Sequence, residues 1–155
     1  MATTSRVPAA LEALLAILRA LPALEAVRIV DGQEAVNLTD RHRIHVGWSP
    51  SAESAVTLQQ EWNGAGARTR DEVFFIACYA ESRGGDKDMA LRRAKVFELV
   101  AAVEQALRAT NEAPEAPTLD GTVLWSEVTT GDLFQSHAEG AIAGLAFTIA
   151  CRARI

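Results

Sequence analysis

The last fifteen residues, Ala141-Ile142-Ala143-Gly144-Leu145-Ala146-Phe147-Thr148-Ile149-Ala150-Cys151-Arg152-Ala153-Arg154-Ile155, decide the fold. Every odd-numbered residue in this run is apolar, and Leu145, Phe147, Ile149 and Cys151 lie at its centre. The even-numbered set is more mixed, running from Ile142 and Gly144 to Arg152 and Arg154. A period of two held over this length specifies a β-strand with one fully apolar face. Extended, the run would span roughly 50 Å, whereas common strands hold about 5–6 residues. Such a strand is expected to overhang its own domain and meet a neighbour.

A long strand needs partners, and the chain supplies them. Asp71–Glu81 is apolar on both faces, with Val73, Phe75, Ala77 and Tyr79 against Phe74, Ile76, Cys78 and Ala80. That pattern predicts the centre of a covered sheet. Ala26–Val30, closed by Asp31-Gly32, reads as a short strand. Gln33–Asp40 reads as a polar loop. Arg43–Trp48 alternates, with Ile44, Val46 and Trp48 inward and Arg43, His45 and Gly47 toward solvent. Ser54–Trp62 is a further strand that turns through Gly64-Ala65-Gly66, and Thr122–Thr129 is another. Thr130–Gly140 is polar, with Phe134 as its single large apolar group, and is expected to be a mobile contact loop.

Two segments read as helices. In 8–20, Leu11, Leu14, Leu15 and Leu18 form one face, and Pro8 fits a first turn that needs no N–H. Lys87–Thr110, capped by Asp86 or Asp88, carries a stripe of Met89, Val96, Val100, Val103 and Leu107. A second flank adds Ala90, Ala94, Phe97 and Ala101. Asn111–Pro117 is a linker. The order predicts one α+β domain over 1–155: a mainly antiparallel sheet with an N-terminal helix and one long helix packed on it.

Composition narrows function. The chain has 155 residues, 49% of them hydrophobic, which is long enough to bury a core without staples and too apolar for disorder. The net charge of -5 argues against general nucleic-acid binding, which displaces counterions with a positive surface. Six acidic residues and no Lys or Arg lie between Asn111 and Gly140, while Arg152 and Arg154 close the chain. Cys78 and Cys151 sit in apolar runs and read as buried thiols in a reducing cell. No signal-peptide pattern and no apolar run of spanning length is visible, so an intracellular soluble protein is expected. Lysine is confined to Lys87 and Lys95 beside abundant Arg and Ala, the bias of a GC-rich genome.

Catalysis requires polar groups that converge, and none do in the sequence. His42 and His45 are spaced onto opposite faces of a strand and read as solvated rather than as metal ligands. His137, near Asp132 and Glu139, reads as a surface residue. Gly64-Ala65-Gly66 leads into a strand, not into the helix N-terminus that a dinucleotide site needs. Gly84-Gly85 does precede a helix, but Asp86 and Asp88 would repel a phosphate there. Trp48, Trp62 and Trp125 read as core anchors, or as interface anchors where exposed. Arg68 and Arg70 flank Thr69 at a hairpin and read as solvated charges or as salt-bridge partners for a second subunit.

The linear order resembles a known family. Val27-Arg28-Ile29-Val30-Asp31-Gly32 precedes His45-Val46-Gly47-Trp48. Arg70-Asp71-Glu72-Val73-Phe74-Phe75-Ile76 then leads into an Arg- and Ala-rich helix. Leu119-Asp120-Gly121-Thr122-Val123 follows, then Gly140-Ala141 and the long terminal strand. The order is similar to that of the tail terminator proteins of long-tailed phages, especially those of actinobacteria, and covers almost the whole chain. The resemblance implies a six-membered ring that caps the tail tube, stops its growth and meets the head connector. DNA would pass through the centre without sequence-specific binding, in a virion tail or neck assembled in the host cytoplasm. It implies no catalytic residue, no metal and no cofactor. A ring built from one repeated contact needs two different complementary patches. The acidic 111–140 stretch and the edges bearing Arg68, Arg70, Arg152 and Arg154 are candidates, with Asp132 and Phe134 as contacts. The alternatives are another phage neck or tail-completion protein, or a small intracellular ligand-binding or enzyme domain with a pocket under the long helix.

Overall fold

The structure, a computed structural model, describes residues 3–34, 40–129, 131–137 and 140–155. Helix α1 spans Val7–Ala20, with Pro8 in its first turn and Ala10, Leu14, Leu15 and Leu18 buried. Leu21 turns extended ahead of Pro22, as residues before proline do, and the helix ends there. Strands β1 (Arg28–Asp31), β2 (His42–Val46), β3 (Val56–Trp62) and β4 (Arg70–Arg83) follow. Helix α2 spans Met89–Ala106, and its N-cap Asp88 accepts a bond from the Leu91 N–H. A 3-10 turn at Ala116–Thr118 leads to β5 (Trp125–Thr129), β6 (Leu133–Ser136) and β7 (Ile142–Arg154).

The fold is α+β, built on one mixed seven-stranded sheet with two helices. Its axis is the pair β4–β7, antiparallel and matched residue by residue from Asp71↔Arg154 to Arg83↔Ile142. The terminal strand therefore does not overhang. Strand β4 has 14 residues, so each residue of β7 finds a partner on its own chain. Along the far side of β4, β2 and β3 lie end to end, opposite Cys78–Ser82 and Arg70–Ile76. Along the far side of β7, β5 and β6 do the same. The sheet thus has two halves, β1-β2-β4-β7-β6 and β3-β4-β7-β5. The pairing of β1 with β2 is parallel, and the other five pairings are antiparallel.

Each outer line is interrupted. Between β5 and β6 the chain takes four steps from Thr129 to Leu133, while β7 takes three from Thr148 to Leu145. The extra residue is a bulge. Gly131 belongs there because a Cβ would lie 1.4 Å from the Ala146 carbonyl oxygen. Between β2 and β3, residues 47–55 leave the sheet, anchored by Gly47 N–H to Ala77 O and Ala77 N–H to Ala55 O.

Both helices cover the same face. Phe74, Ile76, Cys78 and Ala80 of β4 and Leu145, Phe147, Ile149 and Cys151 of β7 pack there against Leu14, Leu18, Val96, Leu99 and Val103. Each fully buried Val, Leu, Ile or Phe in this layer contributes about 1.5–3 kcal/mol. Both cysteines are free thiols in this layer, and burial pushes each up to about 12.

Four further expectations need correction. Phe75, read as core, is 45% exposed, because no helix covers the odd-numbered face of β4. Arg43 and His45, read as solvated, are buried; Trp48 and Tyr79 pack on the His45 ring and Gly32 O meets its Nδ1. Residues 133–136 are not loop but strand β6, since the apolar edge of β7 leaves backbone groups to pair. Phe97 is half exposed, while Arg92 and Leu99 take buried positions on α2. Residues 35–39 of the expected Gln33–Asp40 loop, and residues 130, 138 and 139 of the expected 130–140 loop, lie outside the described residues.

Candidate functional site

The helix-free face of the sheet is divided in two. Over the β2–β6 half, an aromatic cluster seals it. Tyr79 lies between Trp48, at 5.7 Å, and Phe134, at 6.2 Å, and His45 meets the Trp48 ring edge-on at 5.0 Å. Gly144 makes this possible, since a Cβ there would fall 1.7 Å from the Tyr79 hydroxyl. Phe134, expected to lack a partner within the subunit, thus packs on its own chain, with part of its ring in solvent. Burial, then the nearby Glu81, pushes the Tyr79 hydroxyl up to about 12.

The histidines enter structural bonds. The His45 Nδ1–H donates to Gly32 O at 3.1 Å, since a carbonyl only accepts. Burial holds this ring below its ordinary value, against the raising effect of that bond. His42 Nδ1 meets Ser82 Oγ at 3.1 Å. Arg92 Nη1 donates to the same oxygen at 3.3 Å, which leaves the Ser82 proton for the ring. Burial and the charges of Lys95 and Arg92 keep His42 below its usual range. This Ser–His pair has the atoms of a nucleophile and base, but Ser82 is 0% exposed and its hydroxyl serves to bind the Arg92 guanidinium. Arg92 also pairs with Asp86 at 3.7 Å. His137 is exposed, and Glu139 lies outside the described residues. Among the described residues, no group of three or more His, Cys, Asp or Glu could hold a metal ion.

The other half of that face, over β3-β4-β7-β5, is open, with Phe75 in solvent and Arg152 and Arg154 of β7 projecting on it, whereas Arg70 lies on the helix side and Phe134 belongs to the sealed half. At the β3 edge, on the helix side, Trp62 is 59% exposed and Leu58 is 48% exposed. Arg70 stacks on Trp62 at 5.2 Å and donates to Gln60 Oε1 at 3.0 Å. Arg68 is exposed at the hairpin. Arg152 and Arg154 are not unpaired charges. Asp71 holds Arg154 at 2.8 Å and Arg152 at 3.7 Å, and the bond from Arg154 lowers the Asp71 carboxyl below its ordinary range. At the opposite edge, Trp125 of β5 and Leu124 just before it are exposed. Asp132 is exposed, and its backbone oxygen accepts from Ala146 N at 2.8 Å.

A groove of ≈ 340 Å³ runs between α2 and the β5–β6 edge on the helix side, lined by Phe97, Val100, Ala101, Val128, Leu133 and Phe147 among others. The sequence signal for it was the second apolar flank of the long helix, which the sheet does not cover. Trp62 and Trp125 are exposed at the two opposite edges of the β3-β4-β7-β5 half, Trp62 on the helix side and Trp125 on the helix-free side, and their exposure favours the interface reading of these two tryptophans.

No protein-family model matches the chain, and no curated protein matches it. Among the described residues no helix is long and apolar enough to cross a membrane.

Proposed function

We propose that this chain is a structural subunit of a long-tailed phage particle: a tail terminator that assembles into a six-membered ring on the end of the tail tube. There it stops tube growth and joins the tail to the head connector, and DNA passes through the ring without sequence-specific contacts. The ring is assembled in the host cytoplasm and stays in the tail or neck. The chain performs no catalysis and needs no cofactor.

The observation that carries this reading is the order of segments from Val27–Gly32 through Arg70–Ile76 and Leu119–Val123 to the terminal strand, which resembles that family along nearly the whole chain. Physical support comes from the β3-β4-β7-β5 half of the sheet. Its two edges expose large apolar side chains, Leu58 and Trp62 on one and Leu124 and Trp125 on the other. A subunit with two such different edges suits a heterologous contact, the kind that closes into rings. The groove beside α2 favours a second reading, a ligand-binding module, because it is apolar and concave.

The test is a phage whose copy of this gene is deleted. Overlong tail tubes beside unjoined filled heads, both corrected by supplying the chain in trans, are the expected result. Normal-length tails joined to heads would overturn the proposal.

A further inference from the structure

We infer that the ring contact is an edge-to-edge continuation of the sheet, in which β3 of one copy pairs with β5 of the next. The inference rests on the ring reading above and names the surface that makes it.

Strand direction permits the pairing. Strand β3 is antiparallel to β4, β4 to β7, and β7 to β5. Strands β3 and β7 therefore run one way, and β4 and β5 the other. When a second copy is placed beside the first in the same orientation, its β3 lies antiparallel to β5. The alternation continues across the junction, and no copy has to be inverted. That is the geometry a cyclic rotation requires.

Backbone groups are available on the β3 edge. The bonds Ala77 N–H to Ala55 O and Asn63 N–H to Thr69 O bracket β3 and set its odd-numbered residues as the pairs bonded to β4. In an antiparallel ladder bonded and non-bonded pairs alternate. The backbone groups of Val56, Leu58, Gln60 and Trp62 therefore point out of the sheet. A seven-residue edge of this kind, exposed along its length, is a template for another strand.

Side chains match on the helix side. Across the sheet Val56 is level with Ile76, Ile149 and Val128, and Leu58 with Phe74, Cys151 and Ser126. In copies placed without offset, Val56 and Leu58 of one come beside Val128 and Ser126 of the next. The groove lined by Phe97 and Val128 opens on that same side, so Val56 comes beside its apolar wall and Leu58, half in solvent in the single subunit, becomes the diagonal neighbour of Val128.

Charge matches at one end. The β3–β4 hairpin carries Arg68 and Arg70, level with the end of β7 through the Arg70 N–H to Ile155 O bond. At that end of the other edge, Ser126 Oγ donates to Pro117 O at 2.8 Å and ties down the segment bearing exposed Glu115 and Asp120. Side-by-side copies bring the Arg68 end of one against the Glu115 end of the next.

The experiment is sedimentation of the purified full-length chain, alone and with tail tubes, for wild type and four variants. Leu58→Lys places a charge on the outward edge, and Arg68→Glu and Glu115→Arg each reverse one member of the charge match. The expected result is assembly weakened about tenfold or more by each single change, the effect of losing one well-placed contact. The double variant R68E/E115R is expected to recover most of the loss. Each variant keeps the wild-type melting temperature as a monomer, because all three positions are exposed. If wild type assembles and all four variants assemble equally well, the edge pairing is wrong and the ring reading stands. If wild type stays monomeric alone and on tubes, the ring reading fails and the edge pairing with it.

Discussion

Phe74 and Phe75 are neighbours in one strand, yet Phe74 is 0% exposed and Phe75 is 45% exposed. The sheet separates them. Phe74 faces α1 and α2 through the helix-covered layer, and Phe75 faces the side that carries no helix. On that bare side, the half near Tyr79 is sealed by Trp48, Phe134 and His45, and the half near Phe75 is left open. An unbroken apolar run thus marks a central strand without saying that both its faces are covered within the subunit. The open half leaves Phe75 in solvent, while Leu58 and Trp62 are exposed at the β3 edge on the other face.

The contrast can be broken most forcefully at its buried member. Phe74→Ala is expected to lower stability by about 3–5 kcal/mol in chemical unfolding. A loss near that of an exposed position would show that the helices do not close over β4. Next is Gly144→Ala, expected to cost about 1–3 kcal/mol by driving the Tyr79 ring off its seat. Trp48 fluorescence should change with it, since Trp48 packs on Tyr79. Phe134→Ala removes one ring from this cluster and should cost about 1 kcal/mol, measured by the same unfolding curve.

Acid should loosen the sealed half as well. Burial holds His45 and His42 below the ordinary 6.5, so the unfolded chain binds more protons than the folded one just below that value. Their contribution to stability is complete above about 6.5 and declines as pH falls through the folded values. His45→Gln should flatten part of this decline, read as the slope of stability against pH. The smallest effect is expected at Phe75→Ala, under about 1 kcal/mol, since much of the ring is already in solvent.

The strong periodic elements were legible in the sequence. The leucines of α1, the stripe on α2, the double-apolar run of β4 and the alternation of β7 each specify one element, and the structure has them within a few residues. The α+β class followed from their order. Strand β6 was not legible, because Leu133-Phe134-Gln135-Ser136 is short and its pairing is set by the free edge of β7 rather than by its own pattern. The burial of His45 and Arg43 was hidden for a related reason. Alternation in β2 shows which residues share a face, but not that Trp48, Tyr79 and the Gly32 carbonyl close on the polar one. The candidate contact residues Arg68, Arg70 and the tryptophans stood out by type. The placement of Arg68, Arg70 and Trp62 at one edge of one half of the sheet and of Trp125 at the other depends on topology, which no local pattern encodes.

The ring itself is tested most directly by the native mass of the purified chain at high concentration, measured with and without tail tubes. The account predicts a closed particle of six copies of the 16.6 kDa chain, seated at one end of each tube. A chain that remains a monomer under both conditions, and leaves the tube ends bare, would contradict it.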